Sequence, residues 1–352
     1  MEKRLSPSAR YLAFRLASSY GIVLFLVVLC VFFQVMTGRA MNPSAGFFGW
    51  WSAGTFLTLR NLSNVMHQTS VNTIIGVGMT IVIIAGGIDL SVGAILALSG
   101  VISTAIIMKG FPPPFPYPPD AAITPVWALS VSVPVAVAVS ALIGAICGAH
   151  NAIPVIKLRV PPFIATLAMY SIARGLAQIY VNGGQVGNLP AAFTDAIGQG
   201  PCLVITALTV VAFGHILLTR TRFGRAVYAI GGNEQAARLS GIDVAKIKFW
   251  VYVICGTLAG IAGLLLAGRI GAGDPKSGLS YELNAIAAVV LGGTSLMGGI
   301  GTIAGTLLGA IVMGCLETGL GLMGVGTFVQ LVAKGYVILM AVVLDQAKKR
   351  NH

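Results

Sequence analysis

The sequence predicts an all-α membrane protein, a polytopic helical bundle of about ten transmembrane segments. Three observations lead to this fold class: 56% of the 352 residues are hydrophobic, only 9% are charged, and the apolar residues fall into repeated long runs. A typical soluble domain has about 25% charged residues. We therefore interpret residues 1–352 as a single transmembrane domain without a separate water-soluble module.

The apolar runs set the predicted spans, because a helix that crosses a bilayer needs roughly 20 mainly apolar residues. The eighth and ninth runs are short and only a glycine-rich break separates them, which indicates broken or re-entrant helices. The ten predicted spans lie near residues 18–36, 62–85, 90–108, 125–147, 163–181, 202–218, 249–267, 284–297, 301–317 and 328–345.

The positive charges predict the orientation of these spans. The net charge is +12, but Lys and Arg stand in short clusters between apolar runs, a pattern that reports membrane orientation and argues against nucleic-acid binding. With both termini cytoplasmic, fifteen of the 22 Lys and Arg residues lie inside. The inside segments are the tails 1–17 and 346–352, the turn with Lys157 and Arg159, and a central loop, residues 219–248.

The central loop has the pattern of a short capped helix. Asn233 suits an N-cap, Glu234 favours the positive end of a helix, and Gly241 is a natural stop. The two turns from Glu234 to Ser240 are too short to be stable alone, so we expect them to dock on a partner protein. Asp243 then caps the next helix. The positive-inside rule alone explains the charges of the loop, but not the paired glycines, the cap and the stop.

One carboxylate, Asp89, lies between two predicted spans. An ionised Asp deep in a bilayer costs about 2.5–3.5 kcal/mol on insertion scales, so it must be capped, solvated or functional. Two interpretations stay open and both can hold. Gly86 and Gly87 end one helix and Asp89 caps the next, with Ile88 as a hydrophobic staple; or the broken helix lines a cavity.

The break around Asp89 has a weak echo later in the chain. Residues 86–93 align with residues 292–299, glycine pair with glycine pair and Asp89 with Ser295. Transporters are often built from repeats whose helices break at corresponding places near the ligand. Glycines also recur every four residues at 144/148, 256/260 and 301/305/309, and we interpret these faces as close packing within one bundle.

The polar residues within or next to the spans are few and mostly neutral. Such a lining suits a neutral, hydroxyl-rich solute better than an ion, and a charge relay would need more ionisable pairs than the sequence offers. We expect Lys334 to form an ion pair with Glu317 or to extend its ammonium group to the membrane surface. Arg174 is expected to pair or to extend its guanidinium group in the same way. The candidate translocation path comprises Asp89, Ser91, Asn72, Thr166, Asn284, Thr294 and Ser295.

The sequence contains no motif for nucleotide binding, metal binding, disulfide pairing or catalysis. The phosphate-binding pattern G-x-x-x-x-G-K-[ST] does not occur, so any nucleotide is expected to bind another chain. The five cysteines and four histidines have no metal-ligand or disulfide spacing, and no nucleophile–base constellation indicates an enzyme. We therefore expect no catalytic residue, no metal and no cofactor in this chain.

Four sequence blocks, in order, carry a resemblance to a known family: Ala85 to Gly93; Phe163 to Leu167 with Arg174-Gly175; Gly231 to Glu234 with Ala237 to Ile242; and Tyr281 to Leu283 with Ala285 to Ser295. The chain resembles the permease subunits of bacterial ABC importers for simple sugars, most closely the ribose-type permeases. The resemblance runs from about residue 76 to 345 with an interruption at 110–124. The proline-rich stretch 110–119 and the segment 42–56 look longer than the family pattern, and both fall on the predicted outer face.

This resemblance implies the partners and the site. It implies an alternating-access path, a second permease subunit that is identical or a paralogue, cytoplasmic ATPase subunits that hold ATP and Mg, and a periplasmic or extracellular sugar-binding protein. The membrane would be the bacterial inner membrane. The segment that couples to the ATPase would comprise Gly231, Gly232, Asn233, Glu234, Ala237, Arg238, Ser240 and Gly241.

The expected function is therefore import of a monosaccharide, driven by ATP hydrolysis on a partner chain. Which sugar is carried depends largely on a separate binding protein. The alternatives are an ion-coupled secondary carrier, an ABC permease for nucleosides or branched-chain amino acids, and, as the weakest, a membrane-embedded enzyme.

Overall fold

A computed structural model describes residues 7–118 and 129–350, and these residues are almost entirely helical. The single β-type contact among them is an isolated bridge between Val186 and Gly273. In chain order the helices are α1 Pro7–Met41, α2 Phe47–Ala53, α3 Leu59–Ile84, α4 Val92–Lys109, α5 Leu129–Lys157, α6 Pro162–Tyr180, α7 Ala191–Phe193 with a π-helical turn Thr194–Gln199, α8 Cys202–Arg220, α9 Arg222–Gly232, α10 Glu234–Leu239, α11 Val244–Ile270, α12 Tyr281–Leu291, α13 Ile303–Leu322 and α14 Thr327–Arg350.

A helix is present at each of the ten predicted spans. In the described part of the chain, seven helices are long and apolar enough to cross a membrane: α1, α3, α4, α5, α8, α11 and α13. The chain is thus a multi-pass membrane protein by helix length and composition. Residues 1–6 and 351–352, the last residue of the proline-rich stretch and residues 125–128 of the predicted fourth span lie outside the described residues.

The predicted eighth span, 284–297, has different bounds in the structure. Helix α12 begins three residues earlier, at Tyr281, and ends at Leu291 after only 11 residues. It ends there because Gly293 takes a left-handed conformation, with φ of 84°. Only glycine adopts this conformation without a steric penalty, so it stops the helix. The expectation of a short helix is confirmed for the eighth span and is wrong for the ninth, because α13 is 20 residues long.

A non-helical stretch precedes α12, and we call residues 271–280 the re-entrant segment. Gly273 exchanges two backbone hydrogen bonds with Val186, at 2.9 and 2.8 Å. A side chain on Gly273 would meet Thr104, and one on Gly278 would meet the Gly93 carbonyl. The segment therefore runs along the apolar helix α4 from near its end towards its start, at the depth of the membrane.

Glycine faces hold the centre of the bundle together. On α5, Gly144 and Gly148 lie against α11, where a Cβ on Gly256 would collide with the Gly144 carbonyl. On α13, Gly305 and Gly309 lie in the same way against the backbone of α12. Small residues allow helix backbones to approach closely where lipid gives no hydrophobic driving force. The interpretation of these faces as packing within one bundle is confirmed for these pairs.

We expect Gly256→Val to weaken the contact between α5 and α11, because the new side chain would meet a backbone carbonyl that cannot move alone. Overpacking of this kind costs about 1–3 kcal/mol. The measurement is the thermal unfolding midpoint of the purified chain in detergent. Gly335→Val in α14 is the matched control, because its Cβ would have no neighbour within 4 Å. Equal losses in the two variants would contradict the packing argument.

Candidate functional site

The central loop folds into the two short helices α9 and α10, and the predicted caps are present. Asn233 ends α9 and begins α10, and its side-chain oxygen accepts a hydrogen bond from the Ala236 amide at 2.9 Å. Gly241 follows with φ of 82°. The Asp243 carboxylate accepts from the Lys246 amide at 3.0 Å and caps α11. Helix α10 ends at Leu239, one residue before the predicted end.

Helix α10 is anchored to the start of α11. Ala237 is buried with Ile230 and Val244 in a small apolar cluster. The Lys248 ammonium donates a hydrogen bond to Glu234 at 2.6 Å, and this bond lowers the pKa of the Glu234 carboxyl group. A two-turn helix that would be unstable alone thus gains its order from tertiary contacts.

The outward side of α10 carries an apolar residue that the sequence analysis missed. Leu239 is 90% exposed, although it belongs to a rigidly capped helix. The neighbouring Arg238 and Ser240 are also exposed. A leucine is unremarkable in a chain this apolar, so only its position on the surface of the loop distinguishes it.

The end of α9 contacts the breaks after both α3 and α12. Gly231 lies so close to the Ile84 carbonyl and the Gly299 amide that no side chain would fit there. The Gly299 amide in turn donates to the Ile84 carbonyl at 2.9 Å. The Tyr228 hydroxyl donates to the Gly301 carbonyl at 2.7 Å. The backbone that carries α10 is therefore in contact with both places where a helix is broken.

The two breaks share a structure. Helices α3 and α12 end with the same pair of backbone hydrogen bonds, made by Gly86 and Gly87 in the first break and by Gly293 and Thr294 in the second. In each pair the first donor has a positive φ, 79° at Gly86 and 84° at Gly293. This is the helix stop expected of glycine at these positions.

The similarity between the two breaks extends to the turn that follows each glycine, but the alignment of the glycines is shifted by one residue. The Asp89 carboxylate accepts from the Ser91 amide at 2.9 Å, and the Ser295 hydroxyl accepts from the Met297 amide at 3.2 Å. Asp89 thus corresponds to Ser295 as aligned. Gly86, however, corresponds to Gly293 and not to Gly292, because the second break is one residue shorter between the glycine and the turn.

Asp89 is the centre of a fully buried polar cluster. Its carboxylate also accepts from the Ser91 hydroxyl at 2.5 Å, and the Asn151 amide lies 3.4 Å from both carboxylate oxygens and donates to Ser91 at 2.8 Å. Thr166 accepts from the Leu90 amide at 3.1 Å. These bonds satisfy the turn before α4. The N-cap of α4 is Ser91 and no side chain caps this helix, so the prediction that Asp89 caps it is wrong. Asn151 was not singled out by the sequence analysis.

The other candidate path residues lie apart from this cluster. Asn72 is on α3, Asn284 on α12, and Thr294 and Ser295 are in the break after α12. All seven candidate residues are buried in this conformation, so a path along them requires the helices to move. Their role in translocation stays a prediction.

Two further charges lie within the predicted spans. Lys334 on α14 forms an ion pair with Glu317 on α13 at 3.2 Å, as expected. Arg174 on α6 instead donates to two backbone carbonyls of the re-entrant segment, those of Pro275 at 2.5 Å and Ser277 at 2.7 Å. In the described part of the chain, no group of His, Cys, Asp or Glu residues is placed to hold a metal ion.

Comparison with known proteins shows the family. A protein-family model described as "Branched-chain amino acid transport system / permease component" matches residues 61–344. The chain belongs to this family of transport permeases. It is 43% identical over 302 residues to the ribose import permease protein of Escherichia coli strain K12, covering 84% of this chain and 88% of that protein.

Two other relatives agree. The ribose import permease protein of Bacillus subtilis strain 168 is 41% identical over 324 residues, which cover 90% of this chain and 91% of the relative. The xylose transport system permease protein of E. coli K12 is 36% identical, with 87% and 89% covered. No solved structure matches the chain.

We expect Thr166→Val to destabilise the permease. Valine has the same shape but leaves the Leu90 amide without its acceptor, and a buried unpaired donor costs about 1–3 kcal/mol. The measurement is the thermal unfolding midpoint of the purified protein. Thr206→Val on α8 is the matched control, because that exposed hydroxyl bonds only to a carbonyl of its own helix. A midpoint lowered as much by the control would refute the role of the bond.

The anchoring of α10 should weaken in acid. The hydrogen bond from Lys248 needs an ionised Glu234, and the pKa of this carboxyl group lies below its ordinary value of 4.5 in the folded protein. The contribution is therefore complete above about pH 4.5 and is lost as the pH falls through the lowered pKa. Hydrogen exchange of the α10 amides, corrected for intrinsic rates, measures it. The Glu234→Gln variant should lack this acid-induced step; a step of equal size in that variant would refute the assignment.

Proposed function

We propose that the chain is the membrane subunit of an ABC importer that carries a monosaccharide, ribose or a related simple sugar, across the bacterial inner membrane. The observation that carries this proposal is the anchored helix α10, which projects an exposed leucine and touches both helix breaks through α9. The relatives named for ribose and xylose transport support the substrate class. The neutral, buried polar residues support it as well.

The proposed topology has ten spans with both termini in the cytoplasm. The central loop, with its six Lys and Arg residues, is then cytoplasmic, as the positive-inside rule demands. Helix α12 together with the re-entrant segment counts as one discontinuous span. Such a span is tolerated where protein surrounds the non-helical part.

Because the permease has no nucleotide-binding motif, we place the ATP-binding sites on partner subunits. Cytoplasmic ATPase subunits hold ATP and Mg and receive α10, with Leu239 as its apolar anchor. A second permease subunit completes the path. A sugar-binding protein delivers the solute on the outer face, near segments 42–56 and 110–119.

The proposed mechanism uses the contacts of α9 and α10. When the ATPase subunits close, they displace α10, and the bond between Glu234 and Lys248 passes the displacement to α11. Through Gly231 the same displacement reaches the breaks after α3 and α12. The two broken helices then shift and open the buried polar residues to one side of the membrane at a time.

Two alternatives remain as outcomes of the test. The family description names branched-chain amino acid transport, whereas the relatives of 36–43% identity are named for ribose and xylose transport. An ion-coupled carrier would transport without any ATPase. The decisive experiment is uptake of ribose, xylose and leucine by liposomes that contain the permease with its ATPase and binding protein. Sugar uptake that needs ATP supports the proposal; ATP-independent sugar uptake or uptake of leucine alone refutes it.

We expect Leu239→Ser to reduce retention of the ATPase on the permease about tenfold or more, because an apolar anchor at the centre of an interface often contributes 2 kcal/mol or more. The measurement is co-purification of the ATPase with the tagged permease. Phe48→Ser is the matched control: this residue is 86% exposed but lies on α2, on the predicted outer face. Unchanged retention in Leu239→Ser would remove α10 as the contact.

A further inference from the structure

Only one nitrogen atom of the Arg174 guanidinium group bonds to the re-entrant segment. Its Nη1 binds two backbone carbonyls, but Nε and Nη2 have no hydrogen-bond partner although the residue is only 9% exposed. Buried charged donors are costly to leave unpaired, more so within a membrane. These two nitrogen atoms therefore point to an acceptor that enters the protein from outside.

Glu282 provides a complementary unpaired acceptor close by. It lies in the first turn of α12, and its Oε2 is buried without a hydrogen-bond partner. The carboxylate lies against Gly93 and interacts electrostatically with Arg174. Yet none of the ion pairs in the described part of the chain joins the two residues. The unpaired atoms of both groups are enclosed by protein in this conformation, so a ligand can bond to them only after the surrounding backbone moves.

An aromatic ring completes this group. The guanidinium carbon of Arg174 lies 5.4 Å from the centre of the Tyr170 ring, one turn earlier on α6. Glu282 lies at the start of α12, and Arg174 contacts the non-helical segment that precedes this short helix. Transporters place their ligands at such discontinuous helices.

We propose that Arg174, Glu282 and Tyr170 form a binding site for the hydroxyl groups of an uncharged polyol within the membrane. The guanidinium donates to one hydroxyl oxygen, the carboxylate accepts from another, and the ring offers an apolar face to the C–H groups. Paired opposite charges favour a ligand without net charge over an ion of either sign, and the proposed sugar transport favours a polyol over a zwitterion. This proposal rests on the proposed sugar transport and assigns three contacts to it, none of which belongs to the candidate path predicted from sequence.

The backbone next to the site has left-handed conformations. Gly271 and Gly278 have φ of 72° and 71°, and Ser280 has φ of 66° although it is not a glycine. These residues lie at the two ends of the re-entrant segment. Because Arg174 holds the middle of the segment, movement about these ends would open the site without unfolding a helix.

The test compares uptake of D-ribose and 2-deoxy-D-ribose by liposomes that contain the full complex of permease, ATPase and binding protein. The binding protein is the same in every reaction, so its own preference cancels when two permeases are compared. If Glu282 accepts from a sugar hydroxyl, Glu282→Gln should lower ribose uptake about tenfold and shift the ratio of ribose to deoxyribose uptake, as the loss of one charged hydrogen bond predicts. Arg174→Gln should shift the ratio as well.

The matched control is Glu317→Gln, the same change at a carboxylate that already has a side-chain partner in Lys334; its uptake ratio should equal that of the wild type. If Glu282→Gln inserts poorly, Glu282→Asp is measured for the same ratio. A wild-type ratio in the Glu282 and Arg174 variants overturns the site. ATPase stimulation by the loaded binding protein, measured in parallel, reports the proposed transport function separately, because it requires coupling and not these contacts.

Discussion

Every backbone N–H and C=O group that leaves a helix inside hydrocarbon must find a partner within the protein, because lipid offers none. Among the described residues, buried non-helical backbone occurs at the breaks after α3 and α12 and in the re-entrant segment. At each place specific residues supply the missing bonds. Asp89 and Ser295 hold the turns of the breaks, and Arg174 holds the re-entrant segment.

These irregular places are also the ones where the structure can change. Regular helices packed through glycine, as α5 and α11 are, have little freedom to move against each other without breaking close contacts. The breaks are held by several backbone and side-chain hydrogen bonds and by glycines in left-handed conformations. The end of α9 touches both of them, which connects the proposed ATPase contact to the parts of the bundle that can rearrange.

The same places concentrate the polar chemistry of the interior. Asp89, Ser91 and Asn151 bond to one another, and Thr166 accepts from the nearby Leu90 amide, although Asn151 Oδ1 has no partner. Arg174 and Glu282 differ from these residues in that their unpaired atoms belong to ionisable groups of opposite charge. This difference is the basis of the proposed binding site.

The sequence by itself determined the membrane class, the approximate helix positions, the caps of α10 and the N-cap of α11, since apolar runs, Asn233, Gly241 and Asp243 act through local geometry. It also indicated the repeated break, although a one-residue difference in loop length hid the correct register. Only the tertiary structure decided that Leu239 faces outward, that Asn151 supports Asp89, and that Arg174 meets the re-entrant segment about a hundred residues later. These contacts join residues far apart in the chain, and the physical reason they escape the sequence is that helix packing, not local propensity, brings them together.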